Sequence, residues 1–276
     1  MKALAQTDKK EKIAIAIDKP LLHRIDALID GTMLTSRSQA MTYFIEQGLK
    51  SQSIQTAVVL LHHTHHSAVL APHPHHSHKL SYLQCQLLLF YNAGVKEIII
   101  LTQDSPLLQR LKQEAEVQSS KLRVQFVIKN TKSTGDSVFA VKDLVKHRHF
   151  LVMSGDTFNA FDLSRMIRRH FESNLPATMG LVNKENVKNC GVVLLDGSYI
   201  IDFEQNAPSS SSPPHQPKSH IINAGLYIFS PEIFRFFDKN IINLERDLFP
   251  KLAKTKQLLG YFTHGEYRHL TENERV

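Results

Sequence analysis

Apolar residues along this chain follow two patterns, and the change comes near residue 55. Before it they are sparse and periodic. Lys12–Asp18, KIAIAID, alternates with period two and predicts a strand with Ile13, Ile15 and Ile17 on one face. Asp18 suits an N-cap and Pro20 a first helical turn. Leu21, Leu22, Ile25, Leu28 and Ile29 then keep helical spacing up to Gly31. Thr35-Ser36-Arg37-Ser38 opens a second helix, with Met41, Phe44, Ile45 and Leu49 on its face. Residues 12–50 therefore read as strand, helix, helix, after a disordered leader over 1–11. A polar linker over 51–55 follows.

From Thr56 onward the apolar runs are continuous. TAVVLL (Thr56–Leu61), EIIILT (Glu97–Thr102), LRVQFVI and FLVM (Phe150–Met153) have the length of strands buried on both faces. Between and after them, helices are expected over Leu80–Ala93, Pro106–Ala115, Thr134–Val145 after its first turn, and Asp162–Glu172. Strands alternating with helices at this spacing predict crossover units and a mostly parallel sheet. Beyond Pro176, ATMGLV, CGVVLLD and YIIDFE crowd together and predict a mixed or antiparallel extension. Asn206–Lys218 is a Ser/Pro-rich loop. HIINAGLYIFS is a further strand, Pro231–Phe237 and Leu244–Ala253 are helices, and LLGYF is a last strand. The fold class is α/β: a mixed sheet flanked by helices over 56–276, plus a small N-terminal module.

The strand at Phe150 runs into Ser154-Gly155-Asp156. Ligands of open α/β sheets bind beyond the carboxyl ends of the strands, so Asp156 is expected in the crevice. A carboxylate there suits a hard divalent cation on substrate phosphates, or else a turn that caps the next helix. No apolar run is long enough to span a membrane. The first residues, MKALAQTDKKEK, lack the apolar stretch of a secretory signal. Two cysteines form neither a disulfide framework nor a metal cluster, and a cytoplasmic location is the default expectation. A net charge of +7 favours polyanionic partners such as nucleic acid or nucleotide phosphates. Of 16 histidines, eight fall between His62 and His78. Their H-H and H-x-H spacings, interrupted by Pro72 and Pro74, read as a histidine-rich surface loop with incidental metal affinity.

KIAIAIDKPLLHRIDAL followed by TSRSQAMTYFIEQGL resembles the ribbon-helix-helix family of DNA-binding proteins. The resemblance implies a homodimer whose paired strands enter the major groove. Helix two would grip phosphate through Ser36, Arg37 and Ser38. The groove-facing positions would be Lys12, Ala14 and Ala16, and alanine cannot make the bidentate contacts that discriminate bases. DNA binding with little sequence preference and dimerisation alone both remain open.

The remainder resembles the sugar-phosphate nucleotidyltransferases, whose fold is Rossmann-like (GT-A-like). NAGVKEIIILT, STGDSVFAV, FLVMSGDTF, CGVVLLDG, INAGLYIFSPEIF and LFPKLA stand in the family's order. That family joins a nucleoside triphosphate to a sugar 1-phosphate and releases pyrophosphate. The resemblance implies that Thr134, Gly135 and Asp136 lie beside the nucleobase and that Asp156 holds Mg2+. It also implies that Gly191, Glu204 and Asn223 meet the sugar.

Three departures fall on the chemistry. The family's glycine-rich triphosphate loop has no counterpart, since Leu49–Ala93 contains no glycine and Ala57–Ala93 contains only Lys79 as a lysine or arginine. The Glu-Lys-Pro segment reads Glu204-Gln205-Asn206. The second metal carboxylate is replaced by His269, which makes a weakened Mg2+ site. The resulting expectation is a domain that recognises a nucleotide or sugar phosphate, with catalysis weak or lost. Fused to the dimerising module, it would be a ligand-responsive regulator. The alternatives are an active nucleotidyltransferase using Asp156 and Lys79, or a non-catalytic scaffold.

Overall fold

The computed structural model describes residues 13–74, 80–116, 122–145, 147–205, 218–262 and 265–270. The expectations for the leader, Lys12, Lys79, His75, His76, His78 and the bulk of the Ser/Pro-rich loop lie outside these. The chain divides into two compact units, residues 1–51 and 52–276.

In the first unit, helices α1 (Lys19–Asp26) and α2 (Arg37–Ser51) stand where the spacing predicts them. Asp18 caps α1 by accepting the Leu21 N–H at 2.8 Å. Among the described residues, 13–18 form no strand. Ile13 and Ile15 are 78% and 56% exposed.

The second unit is built on strands β1 (Thr56–Leu61), β2 (Glu97–Thr102), β3 (Arg123–Ile128) and β4 (Phe150–Ser154). All four are mutually parallel in the order β3-β2-β1-β4. The chain then adds β5 (Thr157–Asn159), β6 (Ala177–Asn183), β7 (Gly191–Asp196), β8 (Tyr199–Gln205), β9 (Ile221–Phe229), β10 (Leu258–Phe262) and β11 (Tyr267–His269). Among the described residues the main sheet has nine strands and continues β4-β9-β6-β10-β8-β7, with β9 antiparallel to both β4 and β6. This is the mixed extension expected after Pro176. The short strands β5 and β11 make a separate antiparallel pair that the apolar pattern does not announce.

Helices cover both faces, which explains the unbroken apolar runs. Ala57, Val59 and Leu61 of β1 pack on one side with residues of α4 (Tyr82–Asn92), α5 (Leu108–Glu116) and α8 (Leu163–Ser173). Val58 and Leu60 pack on the other with α6 (Thr134–Ala140), α7 (Lys142–Val145) and α9 (Phe249–Lys254). The single helix expected over Thr134–Val145 is broken at Val141, and that over Leu244–Ala253 begins as a wide π-type turn, Leu244–Leu248. Between β1 and α4 the chain forms a short 3-10 turn at His63–His65 and then α3 (His66–Val69). Among the described residues no helix is long and apolar enough to cross a membrane.

Beneath α8, the His170 ring is buried, with Nδ1 2.8 Å from Thr178 Oγ1 and Nε2 2.9 Å from His149 Nδ1. Burial, with His149 beside it, pulls His170 down to about 3.

Candidate active site

Asp156 stands where β4 leaves the sheet, held by two backbone contacts. The Gly155 N–H donates to Leu60 O at 2.8 Å, and Leu270 N donates to Asp156 O at 2.7 Å. A side chain at Gly155 would bring a Cβ within 2.7 Å of Leu61 Cδ1 and 2.9 Å of Leu61 Cα. Only glycine allows β1 and the Asp156 turn this close together. The Asp156 Oδ1 accepts the Ser154 hydroxyl at 2.5 Å. Its Oδ2 faces two imidazoles, His269 Nε2 at 3.5 Å and His65 Nδ1 at 3.9 Å. The β5–β11 pairing positions the first of these, because His269 is in register with Thr157.

His65 comes from the turn after β1, which another histidine anchors. His66 is fully buried, with Nδ1 2.6 Å from Ser105 Oγ and Nε2 2.6 Å from Thr102 Oγ1. Burial, then the neighbouring imidazoles, bring its pKa to about 4. His73 is also buried, against the rings of Tyr82 and Phe158. The expected histidine-rich surface loop is therefore corrected at these two positions, since hydrogen-bond partners and ring packing let imidazoles enter the core. Among the described residues, no three His, Cys, Asp or Glu side chains are placed to hold a metal ion.

Thr134 opens α6. Its hydroxyl donates to Glu245 Oε2 at 2.7 Å and accepts the Leu244 N–H at 3.0 Å. A Cβ on Gly135 would sit 2.7 Å from Ile242 O, and the Asp136 N–H donates to that same carbonyl at 2.9 Å. Gly135 and Asp136 thus dock α6 on the 242–245 turn. Asn223 lies in β9, with Nδ2 donating to Tyr227 OH at 2.7 Å and Oδ1 accepting Gly225 N–H at 2.9 Å. The Tyr227 phenol is buried and reaches Glu245 Oε1 at 3.5 Å. Burial raises the Glu245 carboxyl, helped by the Asp156 charge and opposed by the Thr134 and Tyr227 hydroxyls. Neither Glu245 nor Tyr227 is singled out by the sequence, because each sits inside a run that periodicity assigns to packing.

Alternation along β8 separates Glu204 from this group. A Cβ on Gly191 would meet the Phe203 ring at 2.5 Å and Gln205 Oε1 at 3.1 Å, so Gly191, Phe203 and Gln205 share one side. Glu204 points to the other and pairs with Lys218 at 3.0 Å, as does Asp202 at 3.5 Å. By the two-residue period of a strand, Glu204 lies on the opposite side of β8 from Gly191. Gln205 holds the place beside Gly191.

In the N-terminal unit, Arg37 forks onto Asp26 at 2.6 and 2.7 Å. Ser36 Oγ accepts the Gln39 N–H at 3.2 Å, and the Ser38 carbonyl accepts the Thr42 hydroxyl at 2.9 Å. Ala14 and Ala16 are exposed on the extended segment.

The carboxylate after β4 and the asparagine of its neighbour β9 thus lie at the same end of the sheet, and the α6 N-terminus is joined to the asparagine through Glu245 and Tyr227. The nucleotidyl transferase family model matches residues 70–266. The chain belongs to this family. It is 24% identical over 179 residues to the mannose-1-phosphate guanylyltransferase catalytic subunit beta of Drosophila pseudoobscura pseudoobscura, covering 63% of this chain and 46% of that protein. It is 33% identical over 138 residues to the bifunctional protein GlmU of Methanocaldococcus jannaschii, covering 48% of this chain and 30% of that one. The chain spans less than half the length of these curated relatives. The crystal structure of HddC from Yersinia pseudotuberculosis superposes with a TM-score of 0.59 at 17% identity, over 79% of this chain and 94% of that one. That likeness shows a shared nucleotidyltransferase fold.

Members of this family use Mg2+ in catalysis, and the donors at Asp156 do not suit it. Mg2+ takes oxygen ligands in octahedral array, whereas Asp156 is accompanied by two imidazoles. Replacing His269 by aspartate restores an oxygen donor beside Asp156. His269→Asp is expected to tighten Mg2+ binding by about tenfold, the effect typical of a supporting ligand, read by isothermal titration with MgCl2. Equal affinity in the two proteins would contradict this account of the site.

Proposed function

We propose that the 52–276 unit is a sugar 1-phosphate nucleotidyltransferase, joining a nucleoside triphosphate to a sugar 1-phosphate with release of pyrophosphate. One observation carries the reading: Asp156 follows the end of β4, whose neighbour β9 carries Asn223, and Thr134 is linked to Asn223 through Glu245 and Tyr227. The names of the matched relatives support turnover over the expectation of lost catalysis. In this scheme a sugar phosphate oxygen attacks the α-phosphorus and pyrophosphate leaves, so no covalent enzyme intermediate is needed. The protein contributes positioning and stabilisation of developing charge. Thr134 would serve the nucleoside side, and Asn223 with Gly191 the sugar side. His65 and His269 would place imidazole N–H donors beside Asp156 at the phosphates. The test is pyrophosphate release across four nucleoside triphosphates and a panel of sugar 1-phosphates. Turnover of one pair supports the reading, and none in any pair contradicts it.

A second reading, ligand recognition without turnover, is favoured by the segment after β1. It forms a turn and α3, with no glycine to wrap a triphosphate in backbone N–H groups. Stabilisation by the same ligands without pyrophosphate release would select it.

For the first unit we propose pairing with a second copy. Ile13 and Ile15 are exposed on an extended segment that pairs with no strand among the described residues, and so few residues bury too little surface to stand alone. Of the two alternatives, dimerisation is the one retained, since Arg37 is already engaged by Asp26. Ile15→Asp should halve the mass read by light scattering. An unchanged mass would argue against the pairing.

A further inference from the structure

Glu245 has no part in the scheme above, yet it joins its two halves. One carboxylate oxygen takes the hydroxyl of Thr134, at the start of α6, at 2.7 Å. The other takes the phenol of Tyr227, on β9, at the longer distance of 3.5 Å. Both hydroxyls donate to it, one to each oxygen.

That arrangement propagates. Tyr227 has a single proton, and once it is directed at Glu245 the phenol oxygen can only accept. Its other partner is Asn223 Nδ2 at 2.7 Å, which can only donate. At the far end the Gly225 N–H donates to Asn223 Oδ1 at 2.9 Å. The Gly225 N–H, which can only donate, sets the orientation of the Asn223 amide, and the Tyr227 phenol oxygen, as acceptor, anchors its NH2 end. On the other branch, Thr134 gives its proton to Glu245 and receives the Leu244 N–H at 3.0 Å, so this hydroxyl too is fixed. The chain is buried at Tyr227, where an unmatched polar atom is costly. Nothing in the packing of the 244–248 turn requires a carboxylate at this position; leucines at 244 and 248 supply its buried apolar contacts.

We propose that Glu245 is a positioning residue of the site: through Tyr227 and Thr134 it holds Asn223 and Thr134 in the positions they present to a nucleotide-sugar ligand. The identity of that ligand rests on the proposed function, whereas the hydrogen-bond chain does not.

Two measurements on the full chain separate these. The first is ligand-free. The Asn223 side-chain NH2 signals are assigned in a 15N–1H spectrum by their disappearance in Asn223→Asp. They are then followed in Glu245→Gln and Tyr227→Phe, each near-isosteric and checked for an unchanged melting temperature. Displaced or broadened Asn223 signals in both variants are expected. Unmoved signals would overturn the proposal, whatever happens to ligand binding.

The second is titration with GDP-mannose by calorimetry. A loss of about tenfold or more in affinity is expected in each variant, with the double variant no worse than the weaker single, as for members of one chain. Wild-type affinity in Glu245→Gln would overturn the positioning role even if the signals move. Should the wild-type protein bind neither GDP-mannose nor any other nucleotide sugar, the proposed function fails, and the amide signals still decide on Glu245.

Discussion

Asp156→Asn is expected to lower turnover about 100- to 1,000-fold, the range for disturbing preorganised donors at developing charge, because the carboxylate orients the His65 and His269 imidazoles. Asparagine keeps the size of the side chain and can still accept the Ser154 hydroxyl, so the turn between β4 and β5 should survive. What disappears is the negative charge between the His65 and His269 imidazoles. The melting temperature should barely move, because asparagine is near-isosteric and the side chain is not fully buried, 19% exposed. The check is steady-state pyrophosphate release by both proteins at saturating substrate. A variant within threefold of wild type would place the chemistry elsewhere.

Acid should destabilise the fold well before the carboxylates titrate. His66 and His170 are both buried, and in the folded state their pKa values are lowered to about 4 and about 3. In the unfolded chain each returns to about 6.5. A base whose folded pKa is depressed favours folding fully while neutral in both states, above about pH 6.5. That contribution is lost as pH falls below 6.5 and the unfolded chain takes up protons the folded one refuses. The slope approaches about 1.4 kcal/mol per pH unit for each histidine, so about 3 kcal/mol is at stake by pH 5.5. Urea midpoints measured between pH 7.5 and 5 should fall steeply, and less steeply in His170→Gln. Parallel curves for the two proteins would show that His170 is not held neutral.

The sheet was legible where the pattern had one cause. Runs such as Val58–Leu61 and Ile98–Leu101 are apolar at every position because helices cover both faces, and their length marks them as strands. The same residues say nothing of sheet order, which arises from pairings such as β4 with β9, distant along the chain. Asp156 could be picked out because a glycine and a carboxylate interrupt an apolar run. His269 could be placed only through the β5–β11 pair, two three-residue strands too short to show periodicity. Whether Glu204 or Gln205 shares a side with Gly191 depends on the pleat, and the bulge between Leu194 and Leu195 of the neighbouring strand hides the phase. Glu245 carried no signal, since a charged residue in a helical turn ordinarily faces water.

Transfer of label tests the central claim most directly. The full chain would be incubated with each α-32P nucleoside triphosphate and the sugar 1-phosphate panel, with Asp156→Asn alongside. The account predicts a labelled nucleotide sugar from one pairing, absent or reduced at least 100-fold in the variant. No labelled product from any pairing, or equal product from both proteins, would contradict it.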